Sequence, residues 1–188
     1  MKVIGFNGSA RKDGNTNTMI GHLLQEIDKE GIETELVQLS AKPIHGCISC
    51  YKCFENKDQR CSVKSDAANE YIEKMMMAQG IVLGSPAYFQ DVTAGMKALI
   101  ERAGFVGLAN GRMYKNKVGA AVSCFRRSGG MHTIETMSHF FFSNELIIAG
   151  RAMSVAREKG EMDKDEEGVQ TAKTLGQKIA WMVKKLYG

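Results

Sequence analysis

The stretch that decides the fold is residues 3–18, VIGFNGSARKDGNTNT. It starts with a short apolar run and continues into the turn sequence Asn-Gly-Ser, which is typical of a buried strand that enters a loop. Beyond the loop, apolar residues recur on one helical face from Met19 to Ile27, and Gly31 is a stop signal. A strand, a polar loop and a helix in this order predict the first unit of an α/β domain.

The same alternation continues along the chain. Four more strands are predicted at residues 32–39, 80–84, 117–123 and 145–149, and four more helices at residues 66–78, 93–105, 130–142 and 163–186. Five strands that alternate with helices predict a parallel sheet with helices on both faces. We predict a three-layer flavodoxin-like α/β sandwich with strand order 2-1-3-4-5. Residues 40–65 are expected to form an irregular, cysteine-rich insertion.

Length and composition are those of an ordinary globular domain. The chain has 188 residues, of which 44% are hydrophobic and 24% charged, and we expect residues 1–188 to form one domain. There is no run of ~18 apolar residues and no signal-peptide pattern at the N-terminus, so we expect a cytoplasmic protein without a membrane partner. The net charge of +4 is mild and the basic residues are scattered. No nucleic-acid partner is therefore expected.

The loop after the first strand carries donors suited to a phosphate. Residues 8–18 offer hydroxyl, amide and guanidinium groups and lead into a helix N-terminus. The loop lacks the Gly-Lys-Ser/Thr ending of a nucleotide-triphosphate loop and the G-x-G-x-x-G of a dinucleotide loop. A polar turn with a helix cap is the alternative, because Ser, Asn and Thr favour such positions. The place of the loop after the first strand of an α/β sheet favours phosphate binding.

Several segments resemble the NADPH-dependent FMN reductase family. Residues 8–16, GSARKDGNT, resemble its phosphate loop, G-S-P-R-x-x-G-N-T, with Ala10 in place of the proline. Residues 84–89, GSPAYF, resemble its second FMN loop, G-S-P-x-Y-F. Residues 116–129 resemble a pattern found in one branch of these flavoproteins. The resemblance extends over almost the whole chain and implies a flavodoxin-like fold with FMN as the cofactor.

The resemblance also implies roles for individual residues. Those implied to hold the FMN phosphate are Ser9, Arg11, Asn15, Thr16 and Asn17. Those implied to lie along the isoalloxazine ring and ribityl chain are Pro86, Ala87, Tyr88 and Phe89. For the two aromatic residues, ordinary core packing is the alternative. Arg126 and Gly129 follow the fourth strand and would hold the flavin or the phosphates of a nicotinamide nucleotide, unless they belong to a simple surface loop.

Four of the five cysteines lie within fifteen residues, and they are Cys47, Cys50, Cys53 and Cys61. Disulfides are disfavoured in a cytosolic chain. The first three are spaced as at the start of ferredoxin-type runs, whereas zinc motifs usually bring two separated C-x-x-C pairs. The spacing also resembles that of the iron–sulfur flavoproteins, which bind a [4Fe–4S] cluster beside FMN. Zinc and a loop with no bound group are the alternatives. Cys124 is expected to be a buried structural thiol.

These features predict an FMN-dependent oxidoreductase. Electrons would come from NAD(P)H or a protein donor and leave to a quinone, another flavin, a metal ion or an electron carrier, with the cluster as a one-electron relay. We nominate no catalytic acid or base, because the flavin performs the chemistry. The resemblance implies a homodimer or homotetramer. The alternative function is a metal-binding or redox-sensing module that uses the cysteine loop without flavin turnover.

Overall fold

The computed structural model describes residues 1–188 and contains one five-stranded parallel sheet of order β2-β1-β3-β4-β5. The strands are β1 (Lys2–Asn7), β2 (Glu33–Gln38), β3 (Gly80–Gly84), β4 (Val118–Phe125) and β5 (Ile147–Val155). The helices are α1 (Asn15–Lys29), α2 (Lys52–Asn56), α3 (Ala68–Met77), α4 (Ala94–Ala109), α5 (Gly130–Ser143) and α6 (Glu166–Tyr187). The predicted fold class and strand order are confirmed.

Both faces of the sheet are covered, which explains why its central strands are continuous apolar runs. Side chains alternate across a strand, so Ile4 and Phe6 of β1 join the core under α3, α4 and α5. Val3 joins the second core, under α1 and α6. The glycine at the end of β3 reflects this tight packing, because a Cβ on Gly84 would lie 2.6 Å from the Ile20 side chain.

The fifth strand differs from its prediction. It was expected to end at residue 149, but it runs from Ile147 to Val155. In the sequence, Gly150 followed by Arg151 is typical of the end of a strand. Arg151 is exposed in the structure. In the structure Gly150 has a φ of 149° beside a register shift in β4, and the strand continues past this irregularity. Residues 150–155, expected to follow the strand, are therefore its last six residues.

Two smaller differences concern the helices. The cysteine segment was expected to be wholly irregular, but it contains the short helix α2, flanked by Tyr51 and Lys57 with positive φ of 53° and 48°. The last helix begins at Glu166, because the Asp165 side chain accepts a hydrogen bond from the Gly168 amide and caps it. None of the helices combines the length and the apolar character needed to cross a membrane.

Candidate functional site

The first turn of α1 lies at the carboxyl edge of the sheet with free backbone donors. The helix begins at Asn15, its N-cap is Gly14, and no side chain caps it. The first amides of the helix have no acceptor within the helix itself. The first turn also contains no acidic residue. A helix terminus of this kind attracts an anion through its amides and its dipole.

The loop that leads into α1 is held in place by its neighbours. The Gly8 amide donates to the carbonyl of Gly84 at 2.7 Å, and the Thr93 hydroxyl donates to the carbonyl of Gly8 at 2.8 Å. Within the loop, the Ser9 hydroxyl accepts a hydrogen bond from the Arg11 amide at 3.1 Å. These bonds fix the backbone before any ligand arrives, so little ordering is needed on binding.

The second loop leaves β3 and runs beside the end of β4. The Ala87 amide donates to the carbonyl of Cys124 at 3.3 Å. Tyr88 and Asp91 then pair across a two-residue hairpin, and its central residues, Phe89 and Gln90, have positive φ of 48° and 80°. Two positive φ values in succession are typical of the type I′ turn of tight hairpins. The turn points the Phe89 side chain fully into solvent.

These segments line one cleft at the carboxyl edge of the sheet. Eight of the eleven residues predicted for the cofactor lie in its wall. They are Ser9, Arg11, Asn15, Thr16, Pro86, Ala87, Tyr88 and Arg126. The structure thus brings the two FMN-loop motifs and the end of the fourth strand to one place.

Three predicted residues do not line this cleft, namely Asn17, Phe89 and Gly129. Asn17 lies in the first turn of α1, so its backbone amide is at the helix terminus although its side chain is outside the cleft wall. Gly129 contacts the hairpin instead. Its φ is 85°, and a Cβ there would lie 2.8 Å from the Cα of Gln90. It lets the loop after β4 pack against the hairpin.

The side chain of Asn15 is already used within the protein. Its amide nitrogen donates to the carbonyl of Glu158 at 2.8 Å. Its Oδ1 accepts from the amides of Gly160 and Met162 at 3.2 and 3.3 Å. Asn15 therefore fastens the start of α1 to the loop after β5, and its backbone amide is the group that remains for a phosphate.

Besides Gly14 of the predicted phosphate loop, four further residues line the cleft that were not predicted for it. They are Cys124, Phe125, Ala156 and Arg157. The first two end β4, and the other two follow β5. The expected strand ends, at residues 123 and 149, were too early. With the longer strands, these positions fall at the carboxyl edge of the sheet, where ligands of this fold bind.

The cleft is basic and contains one inert thiol. Arg11, Arg126 and Arg157 all line it, and the Arg11 guanidinium donates to the carbonyl of Arg157 at 3.4 Å. The Cys124 sulfur lies 3.8 Å from the Met19 sulfur. Burial raises the pKa of Cys124 to about 12. The thiol is therefore protonated at neutral pH and unsuited to nucleophilic chemistry.

The other four cysteines line a second pocket, between the cysteine segment and α4. Phe105 of α4 packs edge-on against Tyr51 and Phe54, with ring centroids 6.1 and 6.3 Å away. A carboxylate oxygen of Glu101 accepts a hydrogen bond from the Cys47 amide at 3.1 Å. Side chains of α4 thus hold the first part of the segment, and Asn69 of α3 holds its end by accepting from the Cys61 amide at 2.7 Å and donating to the Cys61 carbonyl at 2.9 Å.

The four thiols differ in their surroundings. Cys50 is exposed, and a hydrogen bond with the Ser62 hydroxyl, at 3.3 Å, lowers the pKa of its thiol. Burial raises the pKa of Cys53, with the nearby Cys61 and Cys47 adding to the effect. No three side chains of the His, Cys, Asp or Glu type converge closely enough to hold a metal ion. All four thiols nevertheless line the same pocket, and cysteine thiolates are the usual ligands of iron–sulfur clusters.

Comparisons with known proteins agree with this geometry. The family model described as NADPH-dependent FMN reductase matches residues 1–160. An iron-sulfur flavoprotein of Methanocaldococcus jannaschii is 38% identical over 194 residues, covering 98% of both chains. An iron-sulfur flavoprotein of Methanosarcina thermophila is 34% identical over 152 residues, covering 80% of this chain and 78% of the other.

Solved structures show the same fold at low identity. The structure of RosB with a bound flavin-derived intermediate, 8-demethyl-8-formylriboflavin-5'-phosphate, has a TM-score of 0.79 at 17% identity and covers 99% of this chain and 80% of that one. A flavodoxin from the domain Archaea has a TM-score of 0.64 at 18% identity and covers 98% and 99%. Together with the family match, these findings show that the chain belongs to the NADPH-dependent FMN reductase family, with a flavodoxin-like fold.

Proposed function

We propose that the chain is an FMN-dependent oxidoreductase that takes electrons from NAD(P)H or a redox protein and delivers them to a small-molecule acceptor or an electron carrier. The observation that carries this proposal is the cleft, where free helix amides, three arginines and an apolar wall meet. FMN, when bound, accepts electrons in pairs and releases them singly or in pairs. The residues of the cleft would bind and orient it.

The phosphate end of the cofactor would be held at the start of α1. The amides of residues 15–17 and the hydroxyls of Ser9 and Thr16 can donate to phosphate oxygens, and the Arg11 guanidinium supplies a charge-assisted bond. Because the Asn15 side chain is occupied by the loop after β5, it acts here through its backbone. The three arginines of the cleft would also balance the dianionic charge.

The flavin ring would lie against the apolar part of the cleft, formed by Pro86, Ala87 and Phe125. Tyr88 stands at the mouth with 46% of its surface exposed. An open mouth leaves room for a nicotinamide ring or a small acceptor to approach the flavin. We assign no acid or base, since the reaction at the flavin requires none from the protein.

We propose further that the cysteine pocket holds a [4Fe–4S] cluster, which, when bound, transfers single electrons. Its ligands would be Cys47, Cys50, Cys53 and Cys61, which line one pocket without converging on a single point. The relatives at 38% and 34% identity are named iron-sulfur flavoproteins. This name and the shared pocket support the cluster over zinc or an empty loop.

Helix α4 connects the two sites. At its start, Thr93 caps the helix and binds the carbonyl of Gly8 in the flavin loop. Two to three turns later, Glu101 and Phe105 hold the cysteine segment. The rise of an α-helix places these positions about 12–18 Å from Thr93 along the axis. One rigid element would therefore set the separation of flavin and cluster.

The predicted homodimer or homotetramer is part of the proposal. Phe89 is fully exposed at the tip of the hairpin beside the cleft, which supports a contact there with a second copy or with an electron carrier. The metal-binding or redox-sensing module without flavin turnover is not favoured, because the chain keeps a complete cleft with both loop motifs.

The test is to purify the chain without oxygen, record its visible spectrum, and assay FMN, iron and acid-labile sulfide on the same sample. We expect about one FMN and about four irons per chain, the content of one [4Fe–4S] cluster. Bleaching of the flavin bands by NADH or NADPH would identify a nicotinamide donor. FMN without iron would leave a simple flavin reductase, and absence of FMN after incubation with the cofactor would contradict the whole proposal.

A further inference from the structure

Arg102 of α4 is a buried cation in the wall of the cysteine pocket. Its side chain is 1% exposed, and that of its partner, Asp66, is 5% exposed. Nη1 of Arg102 donates to both carboxylate oxygens of Asp66, at 2.8 and 2.6 Å. A buried ion pair is weak evidence for stability in itself, because hydrophobic residues often do as well.

The ion pair ties together the two ends of the cysteine segment. Nη1 and Nη2 of Arg102 donate to the carbonyls of His45 and Val63, at 3.4 and 2.9 Å. The Asp66 carboxylate accepts a hydrogen bond from the His45 amide at 3.0 Å. His45 lies two residues before the first cysteine of the segment, and Val63 lies two residues after the last. The pair thus closes the loop that carries all four thiols.

One donor of Arg102 has no acceptor. Nε is buried and lacks any hydrogen-bond partner in the protein, whereas both Nη atoms are bonded. Buried donors are nearly always paired in native proteins, so an unpaired one needs an explanation. Arg102 contributes to the same pocket wall as the four cysteines. An acceptor that arrives with the group bound by those cysteines would complete its hydrogen bonds.

We propose that Arg102 is a positioning residue for an anionic iron–sulfur cluster: it closes the cysteine segment through Asp66 and donates its Nε–H to a sulfur of the bound group. This inference rests on the proposed cluster. A cation and a hydrogen bond beside the sulfurs stabilise the reduced state, which is the more negative one. Arg102 therefore raises the reduction potential of the cluster in addition to ordering its ligands.

The experiment compares the wild-type chain with Arg102→Gln, with the double variant Arg102→Gln/Asp66→Asn, and with Arg112→Gln as the control. Arg112 is also a cation, but it is half-exposed, pairs with Glu145 and lies outside the pocket wall. The double variant avoids an unpaired buried carboxylate, so it should fold where the single variant is unstable. FMN per chain reports that the sheet is intact. Iron per chain and the potential of the cluster are measured after anaerobic reconstitution.

We expect both Arg102 variants to hold less iron than the control at equal FMN content. In the fraction of cluster that the variants retain, we expect the reduced state to be at least tenfold less stable relative to the oxidised state. A tenfold change lowers a one-electron reduction potential by about 59 mV. A structural role alone would change iron content without this shift. If the double variant equals the wild type in iron content and cluster potential, the role of Arg102 is overturned, whereas the proposed cluster is not. A wild-type chain that takes up no iron would overturn the cluster, and the proposal with it.

Discussion

The flavin cleft and the cysteine pocket are built in different ways. The cleft lies where strands end and α1 begins, and backbone hydrogen bonds such as Gly8 to Gly84 hold its shape. The cysteine segment has backbone in the left-handed region at four non-glycine residues, and α4 holds it through side chains. Residues in the left-handed region are Ser49, Tyr51, Lys57 and Gln59. We therefore expect single side-chain substitutions to disturb the flavin cleft less than the cysteine pocket.

The largest effect is expected for Asp66→Ala. The substitution leaves the buried Arg102 guanidinium without its partner, and breaking such a pair costs about 3–5 kcal/mol. Urea unfolding followed by circular dichroism measures the loss. Glu73→Ala, which removes an exposed carboxylate 3.8 Å from Arg60, should change stability by less than about 0.5 kcal/mol. Equal stability of the two variants would contradict the role given to the ion pair.

The Asp66 carboxylate also makes the stability of the fold depend on pH. Burial raises the pKa of Asp66, but the bonds from the His45 and Ala68 amides and from Arg102 outweigh this and hold it below its ordinary value. The pKa of Asp66 is lower in the folded chain than in the unfolded chain. Its carboxylate therefore contributes to the free energy of unfolding above pH ~4, and this contribution is lost as the pH falls through the folded-state pKa. Asp66→Asn should therefore flatten the acid limb of the stability profile. An unchanged acid limb would show that Asp66 does not titrate in this way.

In the flavin cleft, Arg11→Ala should weaken FMN binding without unfolding the chain. Loss of a charge-assisted hydrogen bond costs about 1.5–3 kcal/mol, which corresponds to roughly ten- to hundredfold in Kd. Titration of the apoprotein with FMN, followed by flavin fluorescence, measures the change. Lys12→Ala is the matched control, because Lys12 is exposed in the same loop but does not line the cleft. Equal affinity for both variants would remove Arg11 from the site.

Thr93→Val tests the connection between α4 and the flavin loop. The hydroxyl donates to the Gly8 carbonyl and caps α4 by accepting from the Met96 amide at 3.3 Å. Loss of a helix cap of this kind costs about 0.5–2 kcal/mol. We expect a fall in thermal stability of that size and a weaker affinity for FMN. Thr174→Val, at an exposed position of α6, should change neither quantity.

The smallest effect is expected for Asn17→Ala. The family resemblance assigns Asn17 to the phosphate, but its side chain does not line the cleft, and alanine keeps the backbone amide. FMN affinity in the same fluorescence titration should stay within about twofold of the wild type, which is below ~0.5 kcal/mol. A tenfold loss would mean that the side chain turns toward the phosphate when FMN binds.

The parts of the molecule that were predictable from sequence are those with a local signal. The alternation of apolar strands with helices predicted the fold and the strand order, and the loop motifs of residues 8–16 and 84–89 predicted most of the cleft wall. The arginine after β5 was missed, because Gly150 resembles a strand end and hides the true end at Val155. A bulge that depends on the register of a neighbouring strand has no short sequence signature.

The pocket around the cysteines was predictable only in part. The spacing of the four cysteines predicted a cluster or metal site in the segment. No residue near them in sequence predicted a role for Arg102. Its partner Asp66 is 36 residues away and its contact His45 is 57 residues away. Such long-range pairs become visible only when the helix that carries them is packed against the sheet. The sequence therefore identified the four cysteines of the segment but not the buried side chains around them.

The buried state of Cys124 has a practical consequence for chemical labelling. A thiol with a pKa of about 12 does not react with alkylating reagents at neutral pH, because the thiolate is the reactive form. In the folded chain free of metal, alkylation should therefore stop at four thiols, and the fifth should react only after denaturation. The mass increase of the native chain would then give the number of thiols in the cysteine segment that the reagent reaches. An unlabelled Cys124 would show that the chain is still folded.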